Sequence, residues 1–339
     1  MNLRNTKTMF IAGLSFILIM LIVAGCGKQA DNGPAAANSN TAQATESGEA
    51  SPPASPQTKS FTDSMGTKEI PVNPQRIFSV SATTPLLALG ITPVGGLKYE
   101  IEQDYYLNEY MGEIQIAGDY PPDMEAVTAL EPDLIIASSF VAPEVVEQLE
   151  KIAPTVLYPW ESNLYDQLRF VADIVDKNEE AEVWIKKHEE KAASNKEKMK
   201  SIVGEGETVV AIEIFKDTFQ VAGNRNIGFV LHELLGLKRL PYIQEQIDKN
   251  GGYLVYTEGQ SMEKLPDLTS DYLLVKVNDT QPGSQQFFEQ MQKSALWKSL
   301  PAVQKGNVFI IPHDKWWSYT LFSTDALLDE AVALFQNKK

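Results

Sequence analysis

The 339-residue chain holds one cysteine, Cys26, and three histidines, His188, His232 and His313. A body without a second thiol forms no internal disulfide and offers no cysteine nucleophile. Direct capture of zinc or manganese needs clustered imidazole and carboxylate ligands, and three histidines far apart in sequence do not supply them. HELLG at 232–236 starts like a zinc-protease helix, but Gly236 stands where the second histidine belongs. There is no Gly-x-Ser-x-Gly elbow for a serine hydrolase. Neither of the glycine-rich phosphate loops occurs, so nucleotide binding has no support. Basic residues are few: 29 Lys and Arg stand against 45 Asp and Glu, a formal charge of −16. That balance argues against nucleic acid and against broad contact with an anionic membrane.

Arg4 and Lys7 precede the apolar run MFIAGLSFILIMLIVAG, which ends at Cys26. A basic start, an apolar stretch and small residues before a cut site make a secretory leader, expected over residues 1–25. The run is slightly short for a membrane span of about 20 apolar residues. Val23-Ala24-Gly25-Cys26 resembles the bacterial lipobox, which makes Cys26 the expected lipidation site. An uncleaved anchor helix, or an ordinary leader with an incidental cysteine, is the alternative. Loss of Arg4 and Lys7 with the leader moves the formal charge from −16 to −18. Residues 26–59 are rich in Ala, Ser, Thr, Gly, Pro and Asn without apolar periodicity, and are expected to form a disordered tether.

From about residue 60, short apolar runs alternate with amphipathic ones. Strands are expected at 76–81, 133–138, 154–158, 208–215, 271–277 and 307–312. Helices are expected at 83–90, 142–152, 228–237 and 286–300. Near-continuous apolar strands separated by helices indicate an α/β protein with parallel sheets covered on both faces. The stretch 179–203 differs, having no Pro or Gly. Trp184, His188, Ala192, Met199 and Ile202 fall on one helical stripe, with Lys and Glu on the rest. Roughly 24 residues at 1.5 Å rise give a rod of about 36 Å, long enough to join two lobes. The division expected is an N-terminal lobe at 60–176, a connecting helix at 177–204 and a C-terminal lobe at 205–339. An ordinary surface helix within one domain is the competing reading of the rod.

The stretch DMEAVTALEPDLIIAS, 123–138, is echoed by SMEKLPDLTSDYLLVK, 261–276. In each copy a capping residue, Asp123 or Ser261, precedes a Met-Glu pair and a short apolar face. Glu125 and Glu263 then sit in a first helical turn, where the dipole stabilises a carboxylate by up to about 1 kcal/mol. Capping alone explains a single such glutamate. Two in matching register, one in each half, suggest equivalent exposed corners of two similar lobes.

The segments FTDSMGTKEIPVNPQRI, PLLALGITPVGG, MEAVTALEPDLIIAS, APTVLY, AEVWIKKHEEKA and LWKSLPAVQKGNVFIIP occur in an order and spacing that span nearly all of 61–339. In these the chain resembles the substrate-binding lipoproteins of ABC importers for iron–siderophore complexes, haem and cobalamin. The resemblance implies two Rossmann-like lobes of mainly parallel sheet joined by one long α-helix, with a ligand cleft between them. It implies a non-enzymatic, monomeric receptor on the outer face of the cell membrane, held by its lipid anchor, with no cofactor of its own. The partners implied are a ferric siderophore and an ABC permease dimer with its ATPase. In such proteins a glutamate on each lobe docks onto permease arginines, and those glutamates map to Glu125 and Glu263.

Ligands of open α/β sheets bind at loops beyond the strand ends. Following each strand outward nominates Lys98 and Tyr99, Trp160, Lys216, Arg225, Tyr256, and the group Trp316, Trp317 and Tyr319. Ferric siderophores are anionic or oxygen-rich, so Lys and Arg donate to them while Trp and Tyr cover their flat faces. Arg225 and the Trp316–Trp317 pair lead this set, since adjacent tryptophans do not easily both hide. Haem, with His313 or a loop tyrosine as axial ligand, and cobalamin, held by aromatic packing, remain open as cargo. A surface adhesin or an iron-sensing module is a reading from another class, one with no need for the paired glutamates.

Overall fold

A computed structural model of the protein describes residues 57–337. The leader, Cys26 and all but the last residues of the expected tether lie outside them. The first ordered pieces form an antiparallel hairpin, β1 (Thr58–Asp63) with β2 (Gly66–Pro71). β1 thus starts two residues before the boundary expected at 60.

The N-terminal sheet contains β3 (Ile77–Val80), β4 (Gly95–Gly96), β5 (Gln115–Ile116), β6 (Leu134–Ser138) and β7 (Thr155–Tyr158). All its pairings are parallel, in the order β5-β4-β3-β6-β7. The C-terminal sheet contains β8 (Val209–Phe215), β9 (Thr218–Val221), β10 (Tyr272–Val277) and β11 (Val308–Ile311), in the order β11-β10-β8-β9. Only β9 there is antiparallel. Each of the six expected strands is present.

Their apolar runs are continuous because both faces are covered. In β6, Leu134 and Ile136 enter one core cluster while Ile135 and Ala137 enter another. In β8, Val209 and Ala211 face one cluster and Val210, Ile212 and Ile214 the other. A period-2 strand between two helical layers has no polar side to show.

The connecting helix spans Asn178–Lys200, 23 residues without a Pro or Gly. Its first half buries Ala181 and Ile185 in the N-terminal core, and its second half buries Ala192 and Met199 in the C-terminal core. A C-terminal helix, Leu321–Gln336, does the same in the same chain direction. Leu321 enters the N-terminal core, while Leu327, Leu328, Ala331, Val332 and Phe335 enter the C-terminal one. The two helices are tied side by side: Lys191 lies 2.8 Å from Asp325 and 2.9 Å from Asp329, and the buried Asn195 amide donates to Asp329 at 2.8 Å. The single expected rod is therefore one member of a braced pair. All described residues belong to one compact unit.

The helix expected at 228–237 is a short, wide π-type turn, Phe229–Leu234, in which the Leu235 N–H reaches back five residues to Val230. The echo also differs between its copies. Asp123 caps its helix as expected, its carboxylate accepting from the N–H groups of Glu125 and Ala126 at 2.9 and 3.2 Å. The second copy is a 3₁₀ turn, Met262–Asp267, containing Pro266. Proline cannot extend an α-helical ladder, which accounts for the tighter turn. Ser261 makes no bond to that turn's backbone. Its hydroxyl instead bonds the Glu263 carboxyl and holds it below the ordinary carboxylate range.

The braced helices should be the most costly place to remove volume. Leu328→Ala, at a fully buried position, should lose about 2–5 kcal/mol in denaturant unfolding. Val183→Ala, on the exposed face of the connecting helix, should lose less than about 1 kcal/mol.

Candidate functional site

Loops after β3, β4, β6 and β7 face segments 225–226, 253–255 and 317–321 across a cavity of ≈ 550 Å³. Its wall is a ladder of rings running from lobe to lobe. Tyr120 and Phe140 have centroids 5.9 Å apart, Phe140 and Trp160 5.8 Å, and Trp160 and Tyr253 6.4 Å. Phe140 and Trp160 remain exposed on this face, neighbouring rings of the kind that marks a binding surface.

Arg225 closes the ladder. Its guanidinium carbon lies 4.7 Å from the Tyr253 ring centre and 4.9 Å from that of Tyr319. The fork donates to the Tyr319 hydroxyl at 2.9 Å, to the Glu161 carbonyl at 2.8 Å, and to the Ser162 carbonyl at 3.3 and 3.4 Å. A C-terminal-lobe cation therefore grips N-terminal-lobe backbone. It arrives by way of β9, which runs back toward the start of β8, so that the Ala222 N–H donates to Ala211 at 2.9 Å. A side chain at Gly223 would collide with the Leu254 carbonyl, so this approach requires glycine.

Two carboxyls lie on the cavity wall. Glu100, on the helix Lys98–Gln103, accepts from the N–H groups of Ser81 at 2.9 Å and Thr83 at 3.4 Å. Ser81 turns its amide there from a left-handed backbone, φ +72°. Burial pushes the Glu100 carboxyl up to about 7, against which its backbone hydrogen bonds pull only partly. The Tyr158 hydroxyl donates to the Ser81 carbonyl and the Tyr99 hydroxyl pairs with that of Ser81. Burial raises both phenols, so both stay neutral. Asp104 accepts from the Tyr106 N–H at 3.0 Å, Ser318 at 3.3 Å and Thr320 at 3.1 Å, a second tie between the segments. Burial raises its carboxyl as well.

Of the nominated residues, Tyr99, Trp160, Arg225, Trp317 and Tyr319 line this cavity; Lys98, Lys216, Tyr256 and Trp316 do not. Lys98 is exposed with its ammonium 3.8 Å from Glu102. Lys216 is spent in the β8–β9 turn, at φ +57°. The Tyr256 hydroxyl points inward, accepting at 2.9 Å from Lys276, which is buried beside Glu213. Trp316 is 2% exposed within the C-terminal core. The expectation that adjacent tryptophans share the cleft fails because consecutive side chains on a helical turn point about 100° apart. Trp317 alone faces the site, its indole N–H donating to the Gln103 carbonyl at 3.0 Å. His313, the histidine considered for haem, packs near Glu213 at 3.7 Å and is not on the wall. Glu100, Asp104, Tyr120, Phe140, Tyr158 and Tyr253 were not nominated. Phe140 follows β6 by two residues and was reachable by the same strand-end rule.

Glu125 and Glu263 are both exposed, and among the described residues neither makes an ion pair.

Residues 84–315 match the model of a family described as periplasmic binding protein. The chain belongs to that family. Over 333 residues, 95% of each chain, it is 27% identical to the iron(3+)-hydroxamate-binding protein YxeB of Bacillus subtilis (strain 168). It is also 27% identical over 335 residues to that organism's probable siderophore-binding lipoprotein YfiY, covering 96% of this chain and 97% of the relative. A FhuD fold-family periplasmic binding protein component of a Fep/Fec-like ferrichrome ABC transporter from Bacillus subtilis superposes with a TM-score of 0.72 at 26% identity. It covers 82% of this chain and 100% of the other. Staphylococcus aureus SirA, complexed with staphyloferrin B, gives 0.71 at 26% identity, covering 83% and 100%.

Glu100 gives this binding protein a pH signature. Its folded value is raised from 4.5 to about 7. Stability carried by the protonated carboxyl is therefore present below about 4.5 and lost as pH rises through about 7. The melting temperature of the wild type should fall relative to Glu100→Gln between about pH 5 and pH 8, with each kcal/mol worth about 2–4 °C. Parallel curves for the two proteins would refute the shift.

Proposed function

We propose that this protein is the lipid-anchored extracytoplasmic receptor of an ABC importer, capturing a ferric siderophore in the interlobe cavity and delivering it to a membrane permease. The observation that carries the reading is the ring-walled cavity of ≈ 550 Å³. It is a volume suited to a small chelate, and its wall offers π-faces and few charges. Full-length similarity to an iron(3+)-hydroxamate-binding protein supports the same cargo. The lipobox at 23–26 and a relative named as a siderophore-binding lipoprotein support Cys26 as the anchor, with residues 1–25 removed and the segment beyond Cys26 as tether. Among the described residues no helix is long and apolar enough to cross a membrane.

The docking role falls to Glu125 and Glu263. Each is an exposed carboxylate in a first turn, on opposite halves of the chain, with no ion-pair partner among the described residues. A two-fold permease dimer carrying arginines fits such a pair. Rim charges of this kind act on association and register more than on cargo affinity.

Trp160 and Trp317 make the cargo measurable. Titration of the purified body with ferric siderophores, haem and cobalamin should quench tryptophan fluorescence only with the true class. Trp160→Phe/Trp317→Phe should remove most of that quenching, and quenching that survives in the double variant would place the cargo elsewhere.

Docking predicts a separation of functions. Glu125→Gln/Glu263→Gln should bind the chelate as tightly as the wild type, unfold within about 1 kcal/mol of it, and fail to support siderophore-dependent iron uptake at normal abundance. Each single variant should be milder, since one exposed ion pair contributes little. Wild-type uptake by the double variant would reduce the echo to helix capping.

A further inference from the structure

Away from the cavity wall, a knot of polar groups is buried at the carboxyl ends of the C-terminal sheet. Glu213 of β8 and Lys276 of β10 are register partners on adjacent parallel strands. The period-2 pleat puts both on one face of the sheet, that of Ala211 and Leu274. They are 6% and 2% exposed, with the ammonium 3.5 Å from the carboxylate. Lys276 donates to the Tyr256 hydroxyl at 2.9 Å, and the Asn278 amide donates to Glu213 at 3.0 Å. Nδ1 of His313 lies 3.7 Å from the same carboxylate, buried and without a hydrogen bond among the described residues. None of these five residues lines the cavity.

Such a pair is a poor source of stability. The desolvation of two ions offsets their attraction, so replacing both by apolar residues of similar volume is often neutral or stabilising. Removing one partner alone is strongly destabilising. Burial pushes the Lys276 ammonium below its usual range, with Glu213 opposing the shift. What the pair does is better read from what stands on it.

Two stretches of the cavity wall are rooted there. Tyr256 ends the run 253–256, whose Tyr253 ring lies 4.7 Å from the Arg225 guanidinium and 6.4 Å from Trp160. Backbone bonds hold this run beside β9: the Gly223 N–H donates to Val255 and the Thr257 N–H to Val221, both at 2.9 Å. Those bonds set its lateral position, while the Tyr256 hydroxyl on Lys276 sets how deep it lies. His313 opens the helical turn His313–Trp316, which Trp317 and Tyr319 follow. One buried carboxylate thus faces the roots of both stretches.

We propose that the Lys276–Glu213 pair is a positioning device for cargo capture, fixing the depth of segments 253–256 and 313–319 and so the placing of Tyr253 and Trp317 on the wall. This rests on the reading of that cavity as the cargo site. Glu213, Lys276 and Tyr256 are positioning residues: they touch the wall segments, and the wall segments touch the cargo.

The test separates stability from capture. Glu213→Leu/Lys276→Met should unfold in denaturant at a midpoint equal to or above that of the wild type, whereas Lys276→Met alone should unfold earlier. The double variant should nevertheless bind a ferric tris-hydroxamate roughly three- to tenfold more weakly in tryptophan quenching, the worth of one displaced ring contact. Amide hydrogen exchange should quicken at 253–257 and 313–320 and stay unchanged in β6. Wild-type affinity and wild-type exchange in the double variant overturn the proposal. So does a midpoint that falls along with the affinity, which makes the pair structural. Should the double variant not fold, Tyr256→Phe, which deletes only the hydroxyl link, decides. It should keep the wild-type midpoint, speed exchange at 253–257 and weaken binding, and wild-type behaviour in both overturns the role. A wild type that binds none of this chelate counts against the cargo reading, and exchange then decides the positioning role by itself.

Discussion

The rest of the structure depends on the side-by-side packing of the connecting helix and the C-terminal helix. Both start in the N-terminal core and end in the C-terminal one, running parallel. Lys191 joins two successive turns of the C-terminal helix by reaching both Asp325 and Asp329. The buried amide of Asn195 then fixes the register of the two helices, because its bond to Asp329 is lost if either slides by a turn. A hinge made of two crossed loops can open widely. A hinge made of two helices buried at both ends bends only as far as the cores allow, since close-packed interiors deform little. The cavity walls are consequently held near one spacing before any ligand arrives.

Within that frame the cleft is fastened by a few polar ties. Arg225 on Glu161 and Ser162, Trp317 on Gln103, and Asp104 on Ser318 and Thr320 all join distant parts of the chain. Arg225 is 8% exposed, so its bonds act in a setting of reduced screening, where each is stronger than on a surface and more costly to lose. The same residues that line the cavity thereby hold it together, with the Arg225 guanidinium at the junction of the two lobes.

Much of the fold was legible in the sequence because buried strands carry an uninterrupted apolar signal, as in LIIAS and VVAIEIF. The two-residue strands β4 and β5 carry no pattern at all, and the β1–β2 hairpin lay hidden in a polar stretch. The site was half legible. Walking outward from strand ends reached Tyr99, Trp160, Arg225, Trp317 and Tyr319. It failed at Lys216, where a strand led into a hairpin with no Asn-Gly signal, and at Trp316, where one helical turn reversed the direction of a neighbour. Glu100 and Asp104 were passed over because acidic residues are common in this chain, and only burial distinguishes these two. Arg225 was reached by the rule for a different physical reason, since it leaves the antiparallel strand rather than the carboxyl edge of a parallel one.

The hairpin at the start of the body sets how the protein would bear a mechanical load. Thr58 pairs with Pro71, and the Gln57 carbonyl accepts from Val72 at 2.9 Å, so the entry of β1 and the exit of β2 lie at the same open end of the ladder. Force applied to the chain ahead of Gln57 and resisted by the body would open that ladder one rung at a time rather than shear all rungs at once. Lys59, bonded to the Asp173 carbonyl at 3.0 Å and to Asp176 at 2.6 Å, is an early catch on this zipper. Beyond it, Lys68 on the Thr155 carbonyl and Asp63 on the Leu157 N–H secure the hairpin to β7. Opening from that end would also have to draw Phe61 and Ile70 out of the N-terminal core, so the load reaches the lobe only through the hairpin's own packing.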